Sequence, residues 1–285
     1  MTSASVSRAV GSVIIPAHNE ARVIARTLSA LAPMAATGML EVIVVCNGCS
    51  DGTAEVARSF DGVRVLDSAQ PSKPFALNLG DEAAQHWPRL YLDADIEITT
   101  GTVADVLAHL SAGRSLAARP AREFDDTGAS WPVQAFYRTK RRMPSLDRHL
   151  WGAGVYAVSL EGRSRFEEFP DTTGDDLWID CLYASAEKAI VATTPVRVRT
   201  PRTVRSLLSI LRRVYRGNAE FPRSAVPSHG DAGPTTSQTA RELLRTVNGV
   251  GPALDAATYA TLVLLARLIA RRRTVRWERD ESSRP

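Results

Sequence analysis

The chain predicts an α/β fold, a mostly parallel, doubly wound sheet with helices on both faces. Three observations carry this. Short β-branched apolar runs alternate with helical patterns four times within the first hundred residues. Polar segments follow three of these runs just where each strand ends, the place where an open α/β sheet binds its ligand. The length of 285 residues, with an ordinary apolar fraction, suits one large domain or two fused lobes.

The elements follow in order. Residues 12–16, 41–46, 63–66 and 89–93 read as buried strands. A helix is expected from about Glu20 to Leu31, with Val23, Ile24, Thr27, Leu28 and Leu31 on one face and Asn19 as its N-cap. A second helix follows Asp51-Gly52-Thr53, and a third opens at Ser72-Lys73-Pro74, where proline suits the first helical position. Beyond Asp95 the pattern predicts a helix near 102–111, a strand at 115–119, a helix near 132–144 and a strand near 154–159. A helix from about Asp176 to Ala186 and two strands, 189–193 and 196–200, come next. Residues 203–220 read as a basic helix and 222–237, rich in Pro, Ser, Gly and Thr, as a mobile loop. Helices near 238–247 and 253–273 and a charged, disordered end close the chain.

Net charge is +4, with arginines concentrated in 197–223 and 267–279. Such segments suit phosphate groups of a nucleotide or an anionic lipid. Nucleic acid is not expected, because no recognition motif or aromatic-basic platform is present. Three cysteines, Cys46, Cys49 and Cys181, argue against a disulfide framework and fit a reducing compartment. Cys46 and Cys49 form a C-x-x-C that lacks the second pair a zinc site needs. No long apolar run opens the chain, so no signal peptide is expected. Ala256–Ala266 is uncharged and largely apolar, yet only eleven residues long. A spanning helix needs about 20 such residues. Two readings stay open: a helix packed on the core, or one lying on a membrane with Arg271, Arg272, Arg273 and Arg276 against anionic lipid.

Four segments carry chemistry. Val13–Glu20 runs from a buried strand into a helix start whose amides can meet an anion, although an ordinary capped turn reads the same way. In Cys46–Thr53, Asn47 and Asp51 would face the crevice, and the Asn47 side-chain oxygen could accept from a pyrimidine imide; Asn-Gly and Asp-Gly are also plain turn chemistry. Asp93 and Asp95 end a strand one residue apart, so both would point to one face and repel unless Mg²⁺ or Mn²⁺ lay between them and a diphosphate. Asp175-Asp176 supplies two further acids far down the chain, as a general base requires. Lys73 is placed to reach a phosphate or to stay solvated, and Trp151 to stack on a sugar ring beside Gly152. His149 and His229 are candidate third metal ligands or acceptor contacts, or simply loop residues.

In this order, P-A-H-N-E, N-G-C-S-D-G-T, K-P-F-A-L-N-L-G, L-D-A-D and G-D-D-L-W resemble the family-two inverting glycosyltransferases of GT-A fold over about residues 10–220. The resemblance implies a Rossmann-like, mostly parallel sheet flanked by helices, with a mixed acceptor-side lobe and C-terminal helices. Its expected parts are a nucleotide-sugar-binding half (1–100), an acceptor-binding and catalytic-base half (101–220), and a loop with C-terminal helices and charged tail (221–285). It implies that Pro16, Ala17, His18, Glu20, Asn47, Asp51, Lys73 and Asp93 line the nucleotide pocket, with Arg213 and Arg216 offered to the diphosphate. Asp93 and Asp95 would form the metal site, Asp176 the base with Asp175 beside it, and Trp151, Gly152 and Trp178 the acceptor side.

The chain departs from the family pattern in three places. Cys46-Asn47-Gly48-Cys49 stands where Asp-Asp-Gly-Ser is usual, Asp175 replaces a glutamate, and the Gln-x-x-Arg-Trp of processive synthases is absent, its region reading Arg212-Arg213-Val214-Tyr215-Arg216. The last departure favours transfer of a single sugar, and the resemblance implies a nucleoside diphosphate sugar as donor, a UDP-sugar favoured, an acceptor hydroxyl, and Mg²⁺ or Mn²⁺. The expected place is cytoplasmic, with a peripheral contact at the inner face of the membrane through 253–276 as the open alternative. A nucleotidyltransferase on a similar sheet is disfavoured because the first turn has no glycine, and a dehydrogenase because G-x-G-x-x-G is missing. A non-catalytic nucleotide-sugar-binding protein would bind donor without turning it over.

Overall fold

The computed structural model describes residues 9–172, 174–220 and 236–270. Most of the expected loop at 222–237, with His229, and the expected charged end beyond 270 lie outside the described residues.

In chain order the elements are β1 (Ser12–Ala17), α1 (Ile24–Ala36), β2 (Glu41–Asn47), α2 (Thr53–Arg58), β3 (Val63–Ser68), α3 (Lys73–Ala83), β4 (Arg89–Leu92), α4 (Thr100–Ser111), β5 (Ala117–Asp125), α5 (Trp131–Arg141), β6 (Val155–Val158), α6 (Leu160–Arg163), α7 (Asp175–Cys181), β7 (Lys188–Arg199), α8 (Val204–Glu220), α9 (Thr236–Arg245) and α10 (Val250–Ala270). Single 3-10 turns occupy Pro144–Arg148 and Ser185–Glu187.

The sheet runs in the order β3-β2-β1-β4-β6-β5-β7. β1 pairs in parallel with both β2 and β4, and β2 with β3. β6 alone is antiparallel, to β4 and to β5. The chain therefore winds outward from β1 to β3, returns, and restarts at β4 on the other side. That reversal opens a crevice beyond the carboxyl ends of β1 and β4. Both sheet faces are covered, which explains the near-continuous apolar strands. On one side Val13, Ile15, Val42 and Val44 meet Leu28 and Leu31 of α1 and Val103 and Leu107 of α4. On the other Ile14, Ile43 and Val45 meet Ala76 and Leu77 of α3. There Gly80 lets α3 close on the sheet, since a Cβ would come within 2.5 Å of Ile14 Cγ2.

The structure departs from the expected elements at several places. Helix α1 starts at Ile24, not Glu20, because Asn19 takes a left-handed backbone (φ 54°) and no side chain caps the helix. Asn19 Oδ1 instead accepts the Ser50 amide at 2.7 Å, fastening the first turn to the second. The two strands expected at 189–193 and 196–200 are one, β7, whose register against β5 shifts between Pro120 and Arg122. Helix α7 ends at Cys181, where a turn leads into β7. Ser72 caps α3 as expected, accepting from the Phe75 amide, with Pro74 in the first turn.

Helices α5, α8 and α10 enclose a third apolar cluster with Phe124, Phe136, Tyr137, Leu207, Tyr259 and Leu262. Asp255 on α10 is buried against Arg138 (2.7 Å) and Arg142 (3.1 Å) of the α5 region. The short apolar run of the sequence is thus the middle of a 21-residue helix. One face of it, Ala256, Tyr259, Leu262 and Ala266, is buried, while Val250, Leu254, Leu264, Leu265 and Leu268 are exposed.

Candidate active site

The ends of β1, β2 and β4 and the start of α7 meet at the crevice. β4 stops at Leu92, and its ladder gives way to a turn in which the Asp93 amide donates to Gly154 (2.8 Å) and the Ile96 amide to Asp93 (3.3 Å). Asp93 and Asp95 therefore lie on a turn rather than on one face of a strand, as their spacing alone predicts. Helix α1 holds that turn from below: Thr27 Oγ1 donates to the Ala94 and Ile96 carbonyls, and Arg26 to the Asp95 carbonyl at 2.8 Å. Gly154 has φ 66° and passes so close that a Cβ there would sit 3.2 Å from Asp93 Oδ2 and 2.5 Å from Ile96.

Lys73 joins the distant acids. Its Nζ lies 2.7 Å from Asp93 Oδ1 and 2.9 Å from Asp175 Oδ1. Burial works against its charge, but the carboxylates of Asp175 and Asp93 outweigh burial and push its pKa well above the usual lysine value. Asp175 is 5% exposed and also accepts the Tyr156 hydroxyl at 2.9 Å. Asp176, the next residue, faces the other way. Its Oδ2 accepts the Gly152 amide at 2.7 Å and its Oδ1 the Leu177 amide at 2.8 Å. Burial and then the neighbouring Asp175 charge raise its pKa, with the Gly152 bond partly opposing them. A carboxylate shifted in this direction takes a hydroxyl proton more readily than an ordinary one.

On the nucleotide side, Pro16 and Ala17 are buried in β1 and His18 and Glu20 are partly exposed beyond it. His18 Nδ1 donates to the Asn47 carbonyl at 2.5 Å. Asn47 is only 3% exposed and its Nδ2 donates to the Ala17 carbonyl at 2.9 Å, so it braces β1 against β2 instead of standing open in the crevice. Asp51 accepts the Thr53 amide (3.1 Å) and hydroxyl and the Ala21 amide (3.3 Å), knitting the two loops together. Cys46 and Cys49 are free thiols. Their mutual hydrogen bond holds the Cys49 thiol down at about 6 and drives that of Cys46 up.

The acceptor side departs from the sequence expectation. Trp178 is 6% exposed, packed on Phe166 (4.8 Å between centroids) and Phe169 (5.9 Å). It is core and offers no acceptor surface. On α7 its indole falls on the helix side that meets α3 and the sheet, opposite Asp176. Trp151 and Gly152 do adjoin Asp176: the Trp151 ring stacks on His149 at 5.3 Å, and Gly152 has φ 75° with no room for a Cβ beside Arg122. His149 is largely buried, and its Nδ1 pairs with Asp180 at 2.7 Å. Arg213 and Arg216 lie on α8, whose Leu208 and Leu211, like Trp151, pack against the third cluster.

Sequence reasoning missed Asp180. It is fully buried, four residues after Asp176 on the same helix, and accepts the Leu150 amide (2.7 Å), His149 and Lys188 Nζ (2.9 Å). Asp176 and Asp180 thus grip one loop, 149–152, one turn apart. The i, i+4 spacing of two acids was the available signal. Arg119 and Arg122 were missed too. Arg119 is 1% exposed and donates to the carbonyls of His149 (2.6 Å), Pro120 (2.8 Å) and Asp147 (3.0 Å).

Among the described residues no three His, Cys, Asp or Glu side chains are grouped to hold a metal ion. Asp93 and Asp95 offer the hard oxygen donors that Mg²⁺ or Mn²⁺ prefers. Such ions ordinarily take one or two carboxylates and complete their shell with substrate phosphates and water. The donor chemistry of the two carboxylates fits such an ion.

A mostly parallel sheet with a switch-point crevice, an acidic turn at β4 and an acidic pair at the start of α7 define a GT-A glycosyltransferase architecture. The chain belongs to the glycosyl transferase family 2, whose model matches residues 12–159, just over half its length. It is 38% identical over 90 residues to glycosyltransferase AglE of Haloferax volcanii, a match spanning 30% of either chain. Among solved structures it resembles the mannosyltransferase PcManGT from Pyrobaculum calidifontis in complex with GDP-Man and Mn²⁺, with a TM-score of 0.61 and 18% identity over 93% of this chain and 84% of that one. It also resembles glucosyl-3-phosphoglycerate synthase from Mycobacterium tuberculosis in complex with Mn²⁺, UDP-glucose and phosphoglyceric acid, with a TM-score of 0.55 and 20% identity over 76% and 80%. The expected fold and family are borne out.

Proposed function

We propose that the chain is an inverting glycosyltransferase that moves one sugar from a nucleoside diphosphate sugar to an acceptor hydroxyl. The observation that supports it most is the placing of Asp176: raised in pKa, aimed by the Gly152 amide, one residue from the Asp175–Lys73–Asp93 bridge. Asp176 takes the acceptor proton. The freed oxygen attacks the anomeric carbon from the side opposite the leaving diphosphate, so the configuration inverts. Lys73 carries positive charge to the leaving side and cannot lose it, since two carboxylates hold its proton. Mg²⁺ or Mn²⁺, held by Asp93 and Asp95, would offset the charge that builds on the diphosphate.

A uridine donor is favoured. Asn47 itself is buried and braces β1 against β2, so it is the place of its motif at the end of β2, not an open side chain, that supports this. The solved relatives bind GDP- and UDP-sugars, so a panel must contain both. Incubation with that panel and Mn²⁺ should release nucleoside diphosphate from one donor. Asp176→Asn should cut release by about 10²–10⁴-fold while donor binding survives. Binding with no release from any donor would instead make the chain a non-catalytic nucleotide-sugar-binding protein. Family membership sets the nucleotidyltransferase reading aside.

The exposed apolar face of α10, followed in sequence by Arg271, Arg272, Arg273 and Arg276, supports a peripheral contact with anionic lipid at the cytoplasmic face. Co-flotation with phosphatidylglycerol vesicles, absent with phosphatidylcholine and lost in Leu264→Glu/Leu268→Glu, is the expected result. Equal recovery with both lipids removes the contact.

A further inference from the structure

Around Asp176, positive charge collects from Arg119, Arg122 and Lys140. Arg122, its side chain 1% exposed, donates to the Trp151 carbonyl at 2.6 Å and meets Asp147 at 3.3 Å, but Asp147 is 61% exposed. Arg119 spends its hydrogen bonds on carbonyls. Asp180, which acts on Arg119, is occupied by Lys188 and His149, while Asp147 and Asp176 are the acids that act on Arg122 and Lys140. Into this field Lys140 projects from α5. Its Nζ lies 4.8 Å from the Phe124 ring centroid and 5.8 Å from those of Tyr137 and Trp151. Those rings are its contacts; among the described residues no carboxylate or carbonyl pairs with its ammonium. Trp151 Nε1, on one wall of the same box, is buried and has no hydrogen-bond acceptor.

Two donors, one charged, therefore belong to one box of rings and find no acceptor among the described residues. Leaving them so costs free energy that a ligand can recover. Burial and then the charge of Arg122 lower the Lys140 pKa to about 7, the direction expected of a cation whose counter-ion has not arrived.

We propose that Lys140 and Trp151 Nε1 form an anion subsite on the acceptor side, and that the acceptor carries a phosphate or carboxylate close to the hydroxyl that receives the sugar. In that role the subsite rests on the transferase reading above; as an anion site it does not. The donor diphosphate is not its occupant, because the donor side is built around Lys73 and Asp93, while Lys140 meets neither. Phe124, Tyr137 and Trp151 supply apolar walls that exclude water and strengthen the charge, and Arg122 fixes the Trp151 backbone at one edge. A phosphate seated there accepts from Lys140 and from the indole, and its alkyl ester arm leads toward Asp176.

The test begins without sugar transfer. Titration with inorganic phosphate at constant ionic strength should give saturable binding to the wild type. Lys140→Met should weaken it by about tenfold or more, the loss of one charged hydrogen bond, and Lys140→Arg should largely retain it. Trp151→Phe keeps the ring and removes the donor, and should weaken phosphate binding by about threefold to tenfold. This second variant stands if Lys140→Met does not fold. No saturable binding to the wild type, or equal binding by both variants, overturns the subsite. Donor turnover is then read with glycerol 3-phosphate in solution, phosphatidic acid in vesicles, and uncharged glycerol. Stimulation by either phosphate above glycerol supports the assignment and tells a soluble acceptor from a lipid one; equal stimulation by all three overturns it. Turnover without phosphate binding removes the subsite and leaves the transferase. Phosphate binding through Lys140 without turnover of any donor does the reverse.

Discussion

The ammonium of Lys73 lies 2.9 Å from Asp175, a carboxylate almost wholly out of solvent, and holds it together with Asp93, 82 positions earlier in the sequence. One cation between two anions leaves a net negative charge in the crevice. That residue of charge is what a divalent ion or a positively charged donor pocket must meet, and it makes the β4 turn and α7 one electrostatic unit.

Removing the bridge tests that unit. Lys73→Met leaves Asp175 buried beside Asp93 with, among the described residues, only Tyr156 donating to it from a side chain. Melting temperature should fall, by on the order of 1–3 kcal/mol in stability, at the low end because Lys73 is partly exposed to solvent. Mn²⁺ should recover part of the loss, since it restores positive charge between the acids. Thermal unfolding of both proteins with and without Mn²⁺ checks this; an unchanged melting temperature without metal would refute the bridge.

The pH dependence of transfer follows from Asp176. Its folded pKa is raised, so the base form is lost at a higher pH than for an ordinary carboxylate of about 4. Rate should climb about tenfold per pH unit on the acid limb and level only above that ordinary value. Asp176→Asn should abolish the limb along with most of the rate. A limb that survives the substitution assigns the base elsewhere.

Lys140 ties stability to pH in a different window. Its pKa falls to about 7 in the folded chain and stands near 10.4 when unfolded. Between these values the unfolded chain binds more protons, so this group makes stability rise with pH from about 7 to about 10. Lys140→Met should therefore stabilise the protein more at pH 6 than at pH 9. Paired urea titrations at the two pH values measure the difference; no difference would place the lysine in ordinary solvent.

Trp178 and Trp151 should separate cleanly. Trp178→Ala opens a cavity among Phe166 and Phe169 and should cost about 3–5 kcal/mol. Its effect on acceptor KM at a temperature where the variant is folded should be slight. Trp151→Ala should raise acceptor KM at a smaller cost in stability. A large acceptor effect from Trp178 with an unchanged melting temperature would reverse the assignment.

The sequence by itself determined the strands, the order of the motifs and the family. Alternation of buried β-branched runs with helices specifies a doubly wound sheet, and such a sheet has its crevice at the strand ends. It also singled out Asp93 and Asp176 as candidates, Asp93 from its spacing to Asp95 and Asp176 through the resemblance that the motifs carry jointly.

Only the tertiary structure decided what each neighbour does. Asn47 and Asp51 lie where the motifs place them, yet their hydrogen bonds run to Ala17, Thr53 and Ala21. Trp178 sits next but one to Asp176 in sequence and faces the opposite side, because successive helix positions turn by about 100°. The Lys140 box joins β5, α5 and the loop at Trp151, and Asp180 matters through a loop thirty residues before it. Local pattern fixes which face of its own element a side chain takes; what it touches depends on segments brought there by the closing of the whole chain.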